Sequence, residues 1–379
     1  MEKVNIFILI DALGWTYIKN RPFLDGIAKT KRPVKSLLGY SSAILPSIVT
    51  GKYPEEHKHW SLFHYNPNSV LFGWIKYIRW LPKKCLNSRL GRKIIEVISQ
   101  KKAGYTGYFE TYVVPVELLP YFELCERKSI YEPGGFDNCQ SIFDVWKARG
   151  IKYACFNYTT ADAELFRIVG EKIKREDIPV YFLYSAGIDR ALHKFCKEKN
   201  QVNEIIDSYE EKIKQVFKIA GNKYKEVNLY IFSDHGMTPT DSTIDLKKEI
   251  DKLNFKMPQD YLAMYDSTMA RFWFFNEQTK SAVIELLKKN RQGRILNDEE
   301  LKNWRAYFPD RRYGEIIFLM NPGCLISPSF MSNNVPQGMH GFNPAIDTAD
   351  GILVSNKDVA FDIRDVSQFF EIMKKATDK

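Results

Sequence analysis

The chain has 379 residues, 45% of them hydrophobic and 27% charged, with a formal net charge of +9. That mix suits a globular protein with a sizeable core and excludes a disordered, collagenous or small disulfide-stapled chain; no stretch approaches the roughly 20 uncharged apolar residues that a membrane-spanning helix needs. Cys85, Cys125, Cys139, Cys155, Cys196 and Cys324 stand far apart with no CxxC pair, and the opening MEKVNIFILIDALGW lacks the features of an export signal, so a cytoplasmic protein with reduced thiols is expected.

The first predicted element, VNIFILI (4–10), is a continuous apolar, β-branched run that suits a strand buried on both faces of a parallel sheet. Asp11 ends it. A buried carboxylate must be paired or bound to metal, because desolvating a bare charge is too costly; capping a following helix is its other use. Next comes GYSSAILPSIVTGKYP, read as a helix that begins near Ser41 and ends near Thr50 and Gly51. A helix start presents free N–H groups to a phosphate. A serine hydroxyl is a weak nucleophile alone, and a nearby cation would activate it; as a plain helix cap it would do no chemistry.

Residues 60–135 are rich in aromatic and basic side chains and do not continue the strand–helix alternation. Within them, segment 71–102 holds nine basic residues against Glu96 alone, a surplus of eight charges. It divides at Pro82 into two amphipathic stretches. Leu71, Trp74, Ile75 and Ile78 share one helical face, and Leu86, Leu90, Ile94 and Val97 share another, with lysines and arginines mostly opposite. Such a segment is either a cap helix packed on the sheet with a solvated basic face, or an interfacial helix that makes the protein peripheral to an anionic membrane. A nucleic-acid partner is not expected from a single basic stretch.

The alternation resumes with IKYACFNY (151–158), PVYFLYS (179–185) and VNLYIFS (227–233), separated by helical patterns at 161–174 and 200–219. The expected fold is therefore α/β, with a mostly parallel central sheet and helices on both faces. Residues 240–335 mix helical segments (278–289, 298–306) with short strand-like runs such as ARFWFF and EIIFLM. The expectation is one domain over 1–379 with cap insertions at about 60–135 and 240–335.

The remaining polar candidates also follow strands, where ligands bind in open α/β sheets. Asp189 and His193 in GIDRALH are four residues apart, on one face of a helix, and can chelate one ion. Asp234 and His235 in IFSDHGM are adjacent and need a bend, for which Gly236 supplies freedom. His340 lies in the loop sequence GMHGFNP.

Singly, each of these is also a cap, a surface pair or a solvated loop residue. Their order along the chain resembles the alkaline phosphatase superfamily, and most of all its nucleotide pyrophosphatase/phosphodiesterase branch, over roughly 1–60, 150–240 and 338–346. In that branch the nucleophile stands ten residues before the glycine of a TG-x-YP segment; TGKYP, with its glycine at 51, points to Ser41, with Ser42 the near competitor. The resemblance implies an alkaline-phosphatase-like core and two divalent ions about 4 Å apart. Asp189, His193 and His340 would hold one; Asp11, Asp234 and His235 would hold the other, with Ser41 touching it. Mixed carboxylate and imidazole ligands favour zinc, with manganese as the alternative. Ser41 would form a covalent phospho-enzyme, released by water or by an acceptor alcohol. The substrate would be a phosphate ester carried by a nucleotide, a lipid head group or a sugar. The alternatives are a phosphotransferase or phospholipase acting on lipid or glycan head groups, and a member that binds metal or lipid without turnover.

Two departures stand out. The branch usually has threonine as nucleophile and proline two residues later, where this chain has Ser41 and Ala43. It also carries an asparagine about twenty residues further on that holds a phosphate oxygen. HKHWSLF has none, which leaves Lys58 and His59 as the candidate substitutes. A sulfatase would show C/S-x-P-S-R where this chain reads SSAIL.

Overall fold

In the computed structural model, which describes residues 2–378, the apolar runs become adjacent strands. In chain order the strands of the two main sheets are β1 (Lys3–Ile10), β2 (Thr30–Val34), β3 (Tyr153–Phe156), β4 (Val180–Ser185), β5 (Glu226–Ser233), β6 (Tyr261–Tyr265), β7 (Met269–Phe274), β8 (Gly293–Ile295), β9 (Ile316–Met320) and β10 (Gly351–Ser355). The longer helices are α1 (Ser41–Thr50), α2 (Arg89–Ala103), α3 (Asp162–Arg175), α4 (Gly187–Phe195), α5 (Lys199–Gly221), α6 (Glu277–Lys289) and α7 (Phe369–Ala376).

The central sheet runs in the order β2-β10-β5-β1-β4-β3. β3, β4, β1 and β5 are parallel; β10 runs antiparallel between β5 and the edge strand β2. Strand β1 shows why both faces must be covered. Val4, Ile6, Ile8 and Ile10 pack with Leu165 and Val169 of α3 and Ile206 and Ile213 of α5. Phe7 and Leu9 point the other way, into a core shared with Ile44 and Ile48 of α1 and Phe369 of α7. Each such fully buried side chain is worth about 1.5–3 kcal/mol relative to exposure. The second sheet, in the order β6-β7-β9-β8, is antiparallel throughout, and its apolar side chains join the Phe7–Leu9 side of the core.

The basic segment differs from the pattern drawn for it. Leu71 and Ile75 are buried, but α2 turns Ile95 and Ser99 inward and leaves Leu90, Ile94 and Val97 exposed. A cap helix seated on its Leu90–Ile94–Val97 face is therefore not what forms. Polar anchors set the rotation instead. The Arg92 guanidinium donates to the carbonyls of Tyr112 (3.2 Å) and Val114 (2.7 Å), and the Glu96 carboxylate accepts from the Thr111 N–H (3.1 Å) and hydroxyl (2.8 Å). No helix among the described residues is long and apolar enough to cross a membrane.

Candidate active site

The parallel strands end together, and the polar residues just beyond them meet there. Asp11 follows β1, while Asp234 and His235 follow β5, its neighbour in register. Asp189 and His193 lie on α4 after β4, Ser41 is the first residue of α1, and His340 enters from a loop near the C-terminal end of the chain. Residues up to 329 positions apart in sequence are thereby brought into one cluster.

The distances are short. His235 Nε2 lies 3.2 Å from Asp11 Oδ1 and 3.3 Å from Asp234 Oδ2. Ser41 Oγ is 3.3 Å from His235 Nε2 and donates to Asp11 Oδ2 at 3.5 Å. Asp189 Oδ1 lies 3.3 Å from His193 Nε2 and 3.6 Å from His340 Nε2. The His340 ring stacks on His235 with centroids 3.8 Å apart and stands 5.4 Å from His193.

Two local features hold this geometry. His193 and His235 bond through Nδ1 to the carbonyls of Gly338 and Gly236, both at 2.9 Å, which turns each Nε2 toward the cluster. Gly236 and Gly341 are needed where the backbone crowds. A Cβ on Gly236 would meet the Thr348 carbonyl at 2.3 Å, and one on Gly341, whose φ is +88°, would meet the Tyr40 ring at 2.8 Å. Gly236 thus serves close packing; positive φ is not what it supplies.

The cluster is a buried collection of acceptors short of positive charge. Asp11 Oδ1, Asp189 Oδ1, Asp234 Oδ2 and His340 Nδ1 are buried without a hydrogen-bond partner among the described residues. Burial opposes the imidazolium of His235, but Asp234 and Asp11 outweigh it and push its pKa up to about 10. Burial and the charge of Asp11 push Asp234 up to about 7. For Asp11, burial is outweighed by His235 and the Tyr184 hydroxyl, which hold it below the usual carboxylate range. Burial and the neighbouring imidazoles drive His340 well below the ordinary histidine value. Such an arrangement must take up protons or a cation. Asp189, His193 and His340 offer ligand atoms within 4.8 Å of one another, as do Asp11, Asp189 and His235. The donor set therefore fits divalent metal, and Asp189 faces both groups.

Above the cluster opens a cavity of about 920 Å³, lined at its floor by Asp11, Ser41, Asp189, His193 and His340. Its walls carry Tyr108, Tyr112, Tyr131, Tyr158 and Tyr184, none singled out from the sequence. Tyr184 donates its hydroxyl to Asp11 Oδ2. The signal was available: in PVYFLYS, Tyr184 is the last residue but one of its strand, beside the strand that ends in Asp11. Glu126 also lines the cavity, and burial pushes its carboxyl up to about 7. Ser42 faces the cavity as well, but the contacts to Asp11 and His235 belong to Ser41.

Lys58 and His59 do not line this cavity. The Lys58 ammonium is spent on the Glu55 carbonyl at 2.5 Å, and His59 packs half-buried against Phe136, ring centroids 5.1 Å apart. Both follow Pro54–His57, a single helical turn that Lys58 ends with φ +69°, and this turn directs them into the protein body.

Residues 5–343 match the model of the family described as type I phosphodiesterase / nucleotide pyrophosphatase. No curated protein sequence matches the chain. Among solved structures, human ectonucleotide pyrophosphatase/phosphodiesterase 5 superposes with a TM-score of 0.68 at 14% identity, covering 99% of this chain and 94% of that one. The murine protein of the same name gives 0.67 at 15% identity, covering 99% and 95%. An inactive variant of the murine protein, in complex with AMP, gives 0.65 at 16% identity, covering 99% and 94%. At these identities the structures establish a shared fold. The family match over most of the chain makes it a member of the type I phosphodiesterase / nucleotide pyrophosphatase family within the alkaline phosphatase superfamily, and a phosphoric ester hydrolase.

Proposed function

We propose that the protein hydrolyses phosphodiesters with Ser41 as nucleophile and two divalent cations, zinc first and manganese as the alternative. Asp189, His193 and His340 would hold one, and Asp11, Asp234 and His235 the other. The carrying observation is a hydroxyl at the cavity floor, within 3.5 Å of both Asp11 and His235, beside buried acceptor atoms that take no hydrogen bond among the described residues. When bound, the cations would supply the positive charge that stabilises the serine alkoxide and the attacking and leaving oxygens of an in-line displacement.

The chain's own residues supply the rest. Ser41 and Ser42 stand at the start of α1, where backbone N–H groups have no carbonyl one turn earlier and favour a phosphate. In the first step Ser41 Oγ releases its proton to solvent and bonds phosphorus, and the ester oxygen leaves with the bonding pair as an anion that solvent can protonate. In the second, water adds to phosphorus, the bond to Oγ breaks and Ser41 regains a proton. The carbonyls of Gly338 and Gly236 keep His193 and His235 oriented, and Tyr184 holds Asp11. The tyrosines of the cavity wall offer faces to a planar group. Together with the AMP held by the murine relative, they support a nucleotide as the substrate class.

Acid quenching during turnover of bis(p-nitrophenyl) phosphate tests the covalent step. The peptide containing Ser41 should carry the nitrophenyl phosphoryl group. Turnover with that group on Ser42, or with no covalent adduct, would overturn the assignment.

A further inference from the structure

Helix α2 turns an aliphatic stripe outward. Leu90 is 71% exposed and Ile94 50%, and Val97 and Ile98 are exposed beside them. At 3.6 residues per turn these four and Lys101 fall on one side of the helix, opposite the buried Ile95 and Ser99. Trp80, 80% exposed, and Tyr77 stand on the turns just before. Arg89 and Lys93 border one edge of the stripe and Lys102 the other. Lys84, Arg89, Lys101 and Lys102 make no ion pair among the described residues, so their charge is free for a partner. The helix is not free to roll and hide the stripe. Its inner side is fixed by Arg92, by Glu96 and by Ser99, whose hydroxyl takes a hydrogen bond from Trp74 Nε1 at 3.0 Å.

We propose that this face docks on the surface of an anionic lipid bilayer. The leucine, isoleucine and valine side chains would enter the head-group boundary while the lysines and arginines meet lipid phosphates. Charge complementarity selects the occupant. Segment 71–102 carries a surplus of eight positive charges, so a second copy of the chain would set like charge against like. A nucleic acid would match the charge but leave the aliphatic stripe in water. The docked helix also adjoins the cavity. Arg92 grips the carbonyls of Tyr112 and Val114, and both of these residues line the cavity wall. Docking does not depend on the identity of the nucleophile, and its test reads binding alone.

The full chain is floated with vesicles of phosphatidylcholine, and with vesicles of phosphatidylcholine mixed with phosphatidylglycerol. It should float with the mixed vesicles only, and less as salt rises. Two variants should each bind at least about tenfold more weakly: Leu90→Asn with Ile94→Asn, and Lys84→Gln with Arg89→Gln, Lys101→Gln and Lys102→Gln. All these side chains are exposed, and unchanged thermal melting would show that the variants fold. No flotation of the wild type with the anionic vesicles would overturn the proposal, as would equal flotation of the wild type and both variants. A dimer in sedimentation that Leu90→Asn dissolves, without vesicle binding, would overturn it in favour of self-association.

Discussion

Replacing Ser41 with alanine is expected to leave the metal content unchanged and to cut phosphodiester turnover by roughly a thousandfold or more. Among the described residues the serine oxygen makes two side-chain hydrogen bonds, at 3.3 and 3.5 Å, both long. Their loss costs little stability, and alanine suits the first turn of α1 at least as well as serine does. On the proposed ligand set Asp11, Asp234 and His235 would remain to hold the cation, so binding and chemistry should separate. Metal analysis beside steady-state kinetics on a chromogenic diester makes the check. Turnover within about tenfold of wild type would remove Ser41 from the nucleophile's role; loss of metal together with activity would make it chiefly a ligand.

Asp234→Asn is expected to reverse its effect on stability according to whether metal is present. Asp234 Oδ1 accepts from the Ala12 N–H (3.2 Å) and the His235 N–H (3.1 Å), which an amide oxygen also does. Its Oδ2 is buried and takes no hydrogen bond among the described residues, though it lies 3.3 Å from His235 Nε2. In metal-free protein, burial and Asp11 raise this carboxyl from 3.8 to about 7. The folded state then holds a proton that the unfolded chain has released, and the stability of the protonated form is lost as pH climbs from about 4 to about 7. Asparagine is permanently neutral and escapes that loss. The variant also loses the charge that raises His235, which takes back part of that gain, so with a chelator at pH 8 it should be the more stable by only about 1 kcal/mol. With zinc, wild type gains stability by mass action and the variant gains less. Turnover should fall by roughly a hundred- to ten-thousandfold, the worth of several kcal/mol of transition-state stabilisation. Thermal denaturation in chelator and in zinc reads the crossover; the same order of melting temperatures in both would mean that Asp234 does not serve a cation.

The sheet was legible because a strand covered on both faces admits few polar residues, such as Asn5 and Asn228, which bond to each other at 2.9 Å. Val4–Ile10 and its three parallel neighbours read as largely apolar runs, and Asp11 and Asp234 stood out because they end two of them. The antiparallel edge was not legible. β2, TKRPV, is partly exposed and carries Pro33, which an edge strand tolerates and a central one does not. The pairing of Asp189 with His193 was visible as a spacing of four, whereas the approach of His340 to both is a tertiary fact without a local sequence signal. Lys58 and His59 were sought as phosphate contacts by chain position, and the short turn at Pro54–His57 sends them elsewhere. In α2 the hydrophobic pattern named the correct stripe but not its direction. Periodicity locates an apolar face without saying what covers it, and here the polar side chains Arg92 and Glu96 fix the rotation.

Anomalous diffraction at the zinc edge from zinc-loaded crystals reads the central claim without reference to any substrate. Two peaks are predicted, one among Asp189, His193 and His340 and one among Asp11, Asp234 and His235 on the side where Ser41 stands. No peak within this cluster, or a single ion with Ser41 turned away from it, would contradict it.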